Sequence, residues 1–274
     1  MTDELDRKRT KARALFEKRL RRCREDLATF IQTVVTDDHG RRLSLAPMHH
    51  TWIAHTFWAW ELAKRSLIMA HFGSGKSSSF AIPLIAWTIG CRPEIRIKVI
   101  CNDDSSAKKR VAAVKKIIES PMYRAVFPDI ERGEKWNDHE LFVQRRGNAI
   151  DPTVHARGVL TDGIGGRADL EVYDDVTDQK KSLEKGVRDK VTQIVEQTWL
   201  SRLEPDGKVL VIGTPWHQAD VLHVLMARPD FASLIQAVDV ARETRPITQE
   251  LRGVTRDEFA SYPRGPWPAE KMAA

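Results

Sequence analysis

Residues 66–87, SLIMAHFGSGKSSSFAIPLIAW, run from an apolar stretch through glycine and serine to one lysine and back into apolar residues. The first stretch reads as a buried strand ending at Ala70, and the last, at about 76–89, as a helix. Strand, glycine-rich loop and helix, in that order, let backbone N–H groups and a helix N-terminus converge on an anion. Gly73 and Gly75 allow close approach of the main chain, Lys76 would reach outer phosphates, and the Ser77 hydroxyl would hold Mg²⁺. The nucleotide-contacting residues are then Gly73, Ser74, Gly75, Lys76, Ser77 and Ser78. The spacing fits a nucleoside triphosphate. One position departs from G-x-x-x-x-G-K-[ST]: Ala70 stands where the first glycine belongs. A Gly/Ser turn carrying an exposed lysine is the competing reading, but it leaves the flanking strand and helix without a reason. Pro83, in the second turn or so of the helix, predicts that it bends or is short.

Around this motif, short apolar runs alternate with helical stretches. RSLIMA, IRIKVICN, ELFVQRR, DLEVYDD, KVLVIGT and FASLIQAVDV read as strands, and segments near 76–89, 105–119, 182–200 and 218–227 as helices. That alternation implies an α/β fold with a mostly parallel sheet covered on both faces. Before it, residues 3–35 place Phe16, Leu20, Cys23, Leu27, Phe30 and Val34 at helical spacing among many basic residues. They read as one amphipathic helix, its basic face either solvated or turned to a nucleic acid or partner. The division expected is a basic helix over 1–36, one α/β domain over 37–262, and the start of a linker over 263–274, where YPRGPWPAEKMAA is rich in Pro and Gly.

Lys and Arg number 44 against 38 Asp and Glu, a net charge of +6, which favours a polyanionic partner without requiring one. Cys23, Cys91 and Cys101 are widely spaced, with no metal-binding pattern, as in a reducing compartment. No uncharged apolar run reaches eighteen residues, so a soluble cytosolic protein with no membrane contact is expected.

A triphosphate site also needs carboxylates where a neighbouring strand ends. DLEVYDDVTD supplies them: Asp174 would bind Mg²⁺, and Asp175 would face the attacking water. An acidic solvated turn after a strand is the alternative. Glu171, inside the same strand, is unexpected for a buried parallel strand. A third strand, KVLVIGTPWHQADV, ends in Thr214, a small polar residue placed to sense a terminal phosphate.

Taken in order, these stretches resemble the ATPase domain of the large terminase subunit, the DNA-packaging motor of tailed bacteriophages. The resemblance covers roughly residues 28 to 270 and is carried by LSLAPMHHTW, GSGKSS, VICNDDSSAKKRV…IIESPMYRAVFPD, GGRADLEVYDDV, TWLSRLEPDGKVLVIGTPWHQADV and GPWPAEK. Trp216, His217 and Asp220 are its most distinctive positions. It implies a P-loop NTPase of the additional-strand (ASCE, RecA-like) type. ATP and Mg²⁺ are bound through Lys76 and Ser77, Asp174 and Asp175 form the acidic pair, and Thr214 couples hydrolysis to movement. His49 takes the adenine-side position, where the family often has glutamine.

Many relatives carry an arginine four residues before the lysine, where this chain has Phe72. The transition-state charge then calls for an arginine from elsewhere, such as one inserted from a neighbouring subunit of a ring. Arg157 is favoured among Arg157, Arg167, Arg145 and Arg146. Implied partners are double-stranded DNA, a portal protein, a small terminase subunit and further copies in a pentameric ring, with a monomer in isolation, all in the host-cell cytoplasm. After GPWPAEK no length remains for the family's nuclease domain, so no DNA cleavage is expected. DNA would be gripped through backbone phosphate. Lys108, Lys109, Arg110, Lys115 and Lys116 on one helix, and Lys180, Lys181, Lys185, Arg188 and Lys190 after the acidic pair, are candidates, though both groups also suit a face turned to water. Two other classes compete: a helicase-type ATPase, and a scaffold that binds ATP without hydrolysing it.

Overall fold

The computed structural model describes residues 2–147, 150–161, 165–237 and 247–249. Consecutive residues of the apolar runs point to opposite sides of a sheet, so a run with no polar interruption must be covered twice. On β1 (Arg65–Ala70), Ile68 and Ala70 enter one core while Leu67 and Met69 enter another. The same division splits β2 (Ile97–Cys101), where Val99 and Ile100 part company, β6 (Ala168–Asp174), and β7 (Leu203–Gly213).

Nine strands form one sheet in the order β3-β4-β5-β2-β6-β7-β1-β8-β9. The six from β5 (Val154–Gly158) to β8 (Phe231–Ala237) are mutually parallel. Antiparallel strands β3 (Arg132–Trp136) and β4 (Glu140–Val143) extend one edge, and β9 (Ile247–Gln249) the other. Because β7 lies between β1 and β6, the loop after β1 and the acidic end of β6 are separated by one additional strand, the arrangement the resemblance implies.

One face carries α1 (Thr2–Glu25), α2 (Leu27–Val34), α3 (Pro47–Glu61), α4 (Ile82–Cys91), α5 (Asp104–Glu119) and α6 (Pro121–Val126), which bring Phe30, Trp52, Trp87, Val111 and Tyr123 against the sheet. The other carries α7 (Gln179–Leu183), α8 (Lys185–Ile194) and α9 (Val221–Met226), with Val195, Trp199 and Leu222 buried there. Each such side chain taken out of water contributes on the order of 1.5–3 kcal/mol, which holds the two layers on the sheet.

Three helices differ from the reading of the sequence. The basic segment is two helices, because extended Asp26 (φ −134°, ψ 113°) stops the first and caps the second by accepting from Thr29 N–H at 2.7 Å. Its apolar stripe is buried only in part: Phe16 is 45% exposed, whereas Cys23, Leu27 and Phe30 belong to the main core. The helix after the glycine-rich loop opens as a π-helical turn, Lys76–Ala81, and becomes α-helical at Ile82. Pro83 thus falls in the first turn of α4, directly after the π-helical turn. The stretch expected as one helix over 182–200 is α7, α8, a π-helical turn (Val195–Trp199) and a 3-10 turn (Leu200–Arg202), broken first at extended Glu184. The end of the strand expected in FASLIQAVDV, the boundary at 262 and the linker over 263–274 lie outside the described residues.

Candidate functional site

The loop between β1 and the π-helical turn is bent by two glycines in the left-handed region, Gly73 at φ +75° and Gly75 at φ +78°. At Gly73 a side chain would meet nothing within 4 Å, so the loop faces open space there. At Gly75 it would lie 2.7 Å from Ser79 Oγ and 3.3 Å from His49 Nε2. The loop also folds on itself, since Ser74 Oγ donates to the His71 carbonyl at 2.7 Å.

Lys76 is 5% exposed, and its Nζ donates to the His71 carbonyl and to Thr214 Oγ1, both at 2.9 Å. Burial pulls its pKa below the usual lysine range, opposed by the carboxylates of Asp175 and Asp174. An ammonium that is out of water and hydrogen-bonded to neutral oxygens favours an anion beside it, which fits a phosphate group.

Asp174, at the tip of β6, is 1% exposed. One carboxylate oxygen accepts from Ser77 Oγ at 2.9 Å and the other from Arg110 Nε at 2.6 Å. Asp175 turns sharply out of the strand with φ +49°, unusual for a residue with a side chain. Its N–H donates to the Ile212 carbonyl at 3.0 Å, and its carbonyl accepts from Asn102 N–H at 3.1 Å, so the turn is held by strand ends on either side. Its Oδ1 accepts from Thr214 N–H at 3.1 Å. Burial and the neighbouring Asp174 push the Asp175 carboxyl up, against the pull of Lys76 and the Thr214 amide. The ends of β1, β6 and β7 thus gather Lys76, Ser77, Asp174, Asp175 and Thr214 around one point. A hydroxyl beside a carboxylate, next to a phosphate-seeking lysine, is the oxygen-rich donor set that suits Mg²⁺ carried on a nucleotide.

His49 corrects the sequence reading. Its ring is 6% exposed and spent on both sides: Nδ1 accepts from Ala46 N–H at 3.0 Å, and Nε2 lies 2.8 Å from the Ser74 carbonyl. Burial holds its pKa below the ordinary histidine value, so the neutral ring donates from Nε2 to Ser74. Neither nitrogen is left for an adenine. His49 instead ties the start of α3 to the phosphate loop.

The four arginines suggested for the transition state, as from a neighbouring subunit, make other contacts within this chain. Arg157 Nη1 is 3.3 Å from His139 Nε2, Arg145 bonds Thr153 Oγ1 at 2.7 Å and the Asp151 carbonyl, Arg146 N–H donates to Glu94, and Arg167 pairs with Glu204 at 3.4 Å. The arginine at the site is Arg110, grouped in the sequence with candidate DNA contacts. A signal for it existed. Ala107, Val111, Val114 and Ile118 form the buried stripe of α5, and Arg110 sits three residues after the first and four before the third, on the edge facing the sheet. Of its neighbours, Lys108, Lys109 and Lys116 are exposed and Lys115 pairs with Asp138 at 3.1 Å. In the second basic group, Arg188 is tied to the Ser182 and Leu183 carbonyls, Lys181 to the Asn102 carbonyl and Lys185 to Asp189, while Lys180 and Lys190 are exposed.

No family model matches the chain. Among curated proteins, the large terminase subunit of Enterobacteria phage T3 is 25% identical over 210 residues, 72% of this chain and 34% of that protein. The large terminase of bacteriophage HK97 superposes with a TM-score of 0.55 at 12% identity, over 80% of this chain and 44% of that one. The chain resembles phage large terminases. From HK97 the likeness is one of fold alone, and from T3 it spans about a third of the relative's length. A hypothetical ATP-dependent RNA helicase from Sulfolobus tokodaii reaches a TM-score of only 0.36 at 13% identity, over 68% of this chain and 52% of its own.

Proposed function

We propose that this chain is the ATP-hydrolysing motor domain of a viral DNA-packaging terminase, which drives double-stranded DNA through a portal into a procapsid. The observation that carries the reading is the meeting of Lys76, Ser77, Asp174, Asp175 and Thr214 at three adjacent strand ends, with Ser77 Oγ 2.9 Å from Asp174 and Lys76 Nζ 2.9 Å from Thr214. The likeness to the T3 subunit supplies the DNA-packaging context.

Lys76, already stripped of water, donates to the outer phosphate oxygens of ATP. The amides of Gly73 to Ser78 would wrap the phosphates, and Ser77 and Asp174 would hold Mg²⁺. Bound Mg²⁺ neutralises charge on the phosphate oxygens. Asp175 orients the attacking water and accepts its proton, a role helped by burial, which pushes its carboxyl above the usual aspartate range. Thr214 touches Lys76 through its hydroxyl and Asp175 through its amide, so a change at the terminal phosphate is felt on the segment after β7. DNA backbone, a portal protein, a small terminase subunit and further copies in a ring are the partners of this reading, in the host-cell cytoplasm. Among the described residues no helix is long and apolar enough to cross a membrane. DNA cleavage is assigned to none of the described residues.

Phosphate release with and without double-stranded DNA tests the reading. Lys76→Ala is expected to lose triphosphate binding and turnover. Asp175→Asn is expected to bind ATP at near-normal affinity while turnover falls at least about 100-fold. Normal turnover in either variant removes the assignment.

A further inference from the structure

Arg110 is largely buried, its side chain 24% exposed, and it spends only Nε on Asp174. Among the described residues, its Nη1 and Nη2 groups meet no hydrogen-bond acceptor. A guanidinium carries five N–H donors, so the Nη groups of Arg110, which face solvent rather than a protein acceptor, are available to a further anion beside Asp174. The same side chain stands close enough to Lys76 and Asp175 to act on the charge of each. At Phe72, 82% exposed, the loop carries an aromatic ring and no arginine.

We propose that Arg110 is the arginine of the phosphate site, supplied by the same chain. Without nucleotide it occupies the second oxygen of Asp174, in the place a metal ion would take. When Asp174 turns to a nucleotide-borne metal, Arg110 is released and its unused donors go to the terminal phosphate oxygens. The proposal rests on the triphosphate reading and names the residue that balances its charge. It also makes an arginine from a neighbouring copy unnecessary for basal turnover.

The test uses the whole chain as wild type, Arg110→Gln, Arg110→Lys and Lys76→Ala, with thermal melting to confirm folding. Mn²⁺ titrated by electron paramagnetic resonance without nucleotide reads the first half. Removing the competing cation in Arg110→Gln is expected to tighten Mn²⁺ about tenfold, whereas Arg110→Lys stays near wild type. Turnover reads the second half: kcat is expected to fall about 10³-fold in Arg110→Gln, with nucleotide affinity within about tenfold, and Arg110→Lys is expected to recover little because it lacks the forked donors. Turnover per wild-type chain should not depend on protein concentration. Unchanged Mn²⁺ affinity together with unchanged kcat in Arg110→Gln overturns the proposal, as does turnover that appears only on self-association. If the wild type binds no triphosphate and Lys76→Ala matches it, the functional reading fails instead; the Mn²⁺ titration then still decides whether Arg110 guards Asp174.

Discussion

At the scale of single residues, the two loop glycines answer different demands, and that difference is measurable. Both sit at positive φ, where any side chain costs on the order of 1 kcal/mol. Gly73→Ala is expected to cost only that, since its added methyl enters open space. Gly75→Ala places the methyl 2.7 Å from Ser79 Oγ and against His49, and is expected to cost at least about twice as much in urea denaturation without nucleotide. His49→Ala removes the ring that donates to the Ser74 carbonyl, so it is expected to weaken triphosphate binding about tenfold, the worth of one buried hydrogen bond, with kcat little changed. Such a split between KM and kcat would mark His49 as a loop brace. The meeting of the glycine-rich loop and the acidic pair was legible in the sequence because each pattern is local: glycines, lysine and serine in a fixed order, and two aspartates closing a strand. His49 and Arg110 were not, because their partners, Ser74 and Asp174, are brought near only by the fold.

Among the elements, strands central to the sheet could be read from unbroken apolar runs, since burial on both faces leaves no room for alternation. Strand β5 escaped because VHARG carries His155 and Arg157 and owes its place to hydrogen bonding between β2 and β4. Strand β3, RGEKW, is largely exposed and offers no apolar signal. Helix breaks depend on single capping residues that periodicity passes over. Asp26 is the clearest: the stripe from Leu20 to Val34 continues across it, while its carboxylate stops the chain and starts α2. Asp26→Ala is expected to destabilise the protein by about 1 kcal/mol, the usual worth of an N-cap. Thermal melting should register it, because α2 belongs to the main core and does not fray independently.

For the molecule as a whole, the centre of the sheet carries a proton-linked weakness at Glu171. It is fully buried on β6, in register with Lys98 on β2 and Val209 on β7. Tyr173 donates to its Oε2 at 2.6 Å, but Oε1 has no hydrogen-bond partner among the described residues, and Lys98 spends its ammonium on the Gly166 carbonyl at 2.8 Å. Burial therefore pushes the carboxyl from its ordinary 4.5 up to about 7. Between those two values the folded chain holds a proton that the unfolded chain has released, so stability falls as pH rises through this window and stays lower above it. Converted at 1.36 kcal/mol per pH unit, the loss approaches about 3 kcal/mol by pH 8. Glu171→Gln keeps an acceptor for Tyr173 and removes the ionisation. Its advantage over wild type in urea denaturation is expected to be near zero at pH 4.5, to grow through pH 6 and to level off above pH 7. An advantage that instead shrank or reversed as pH rose would mean that Glu171 is ionised in the folded state and paired with Lys98.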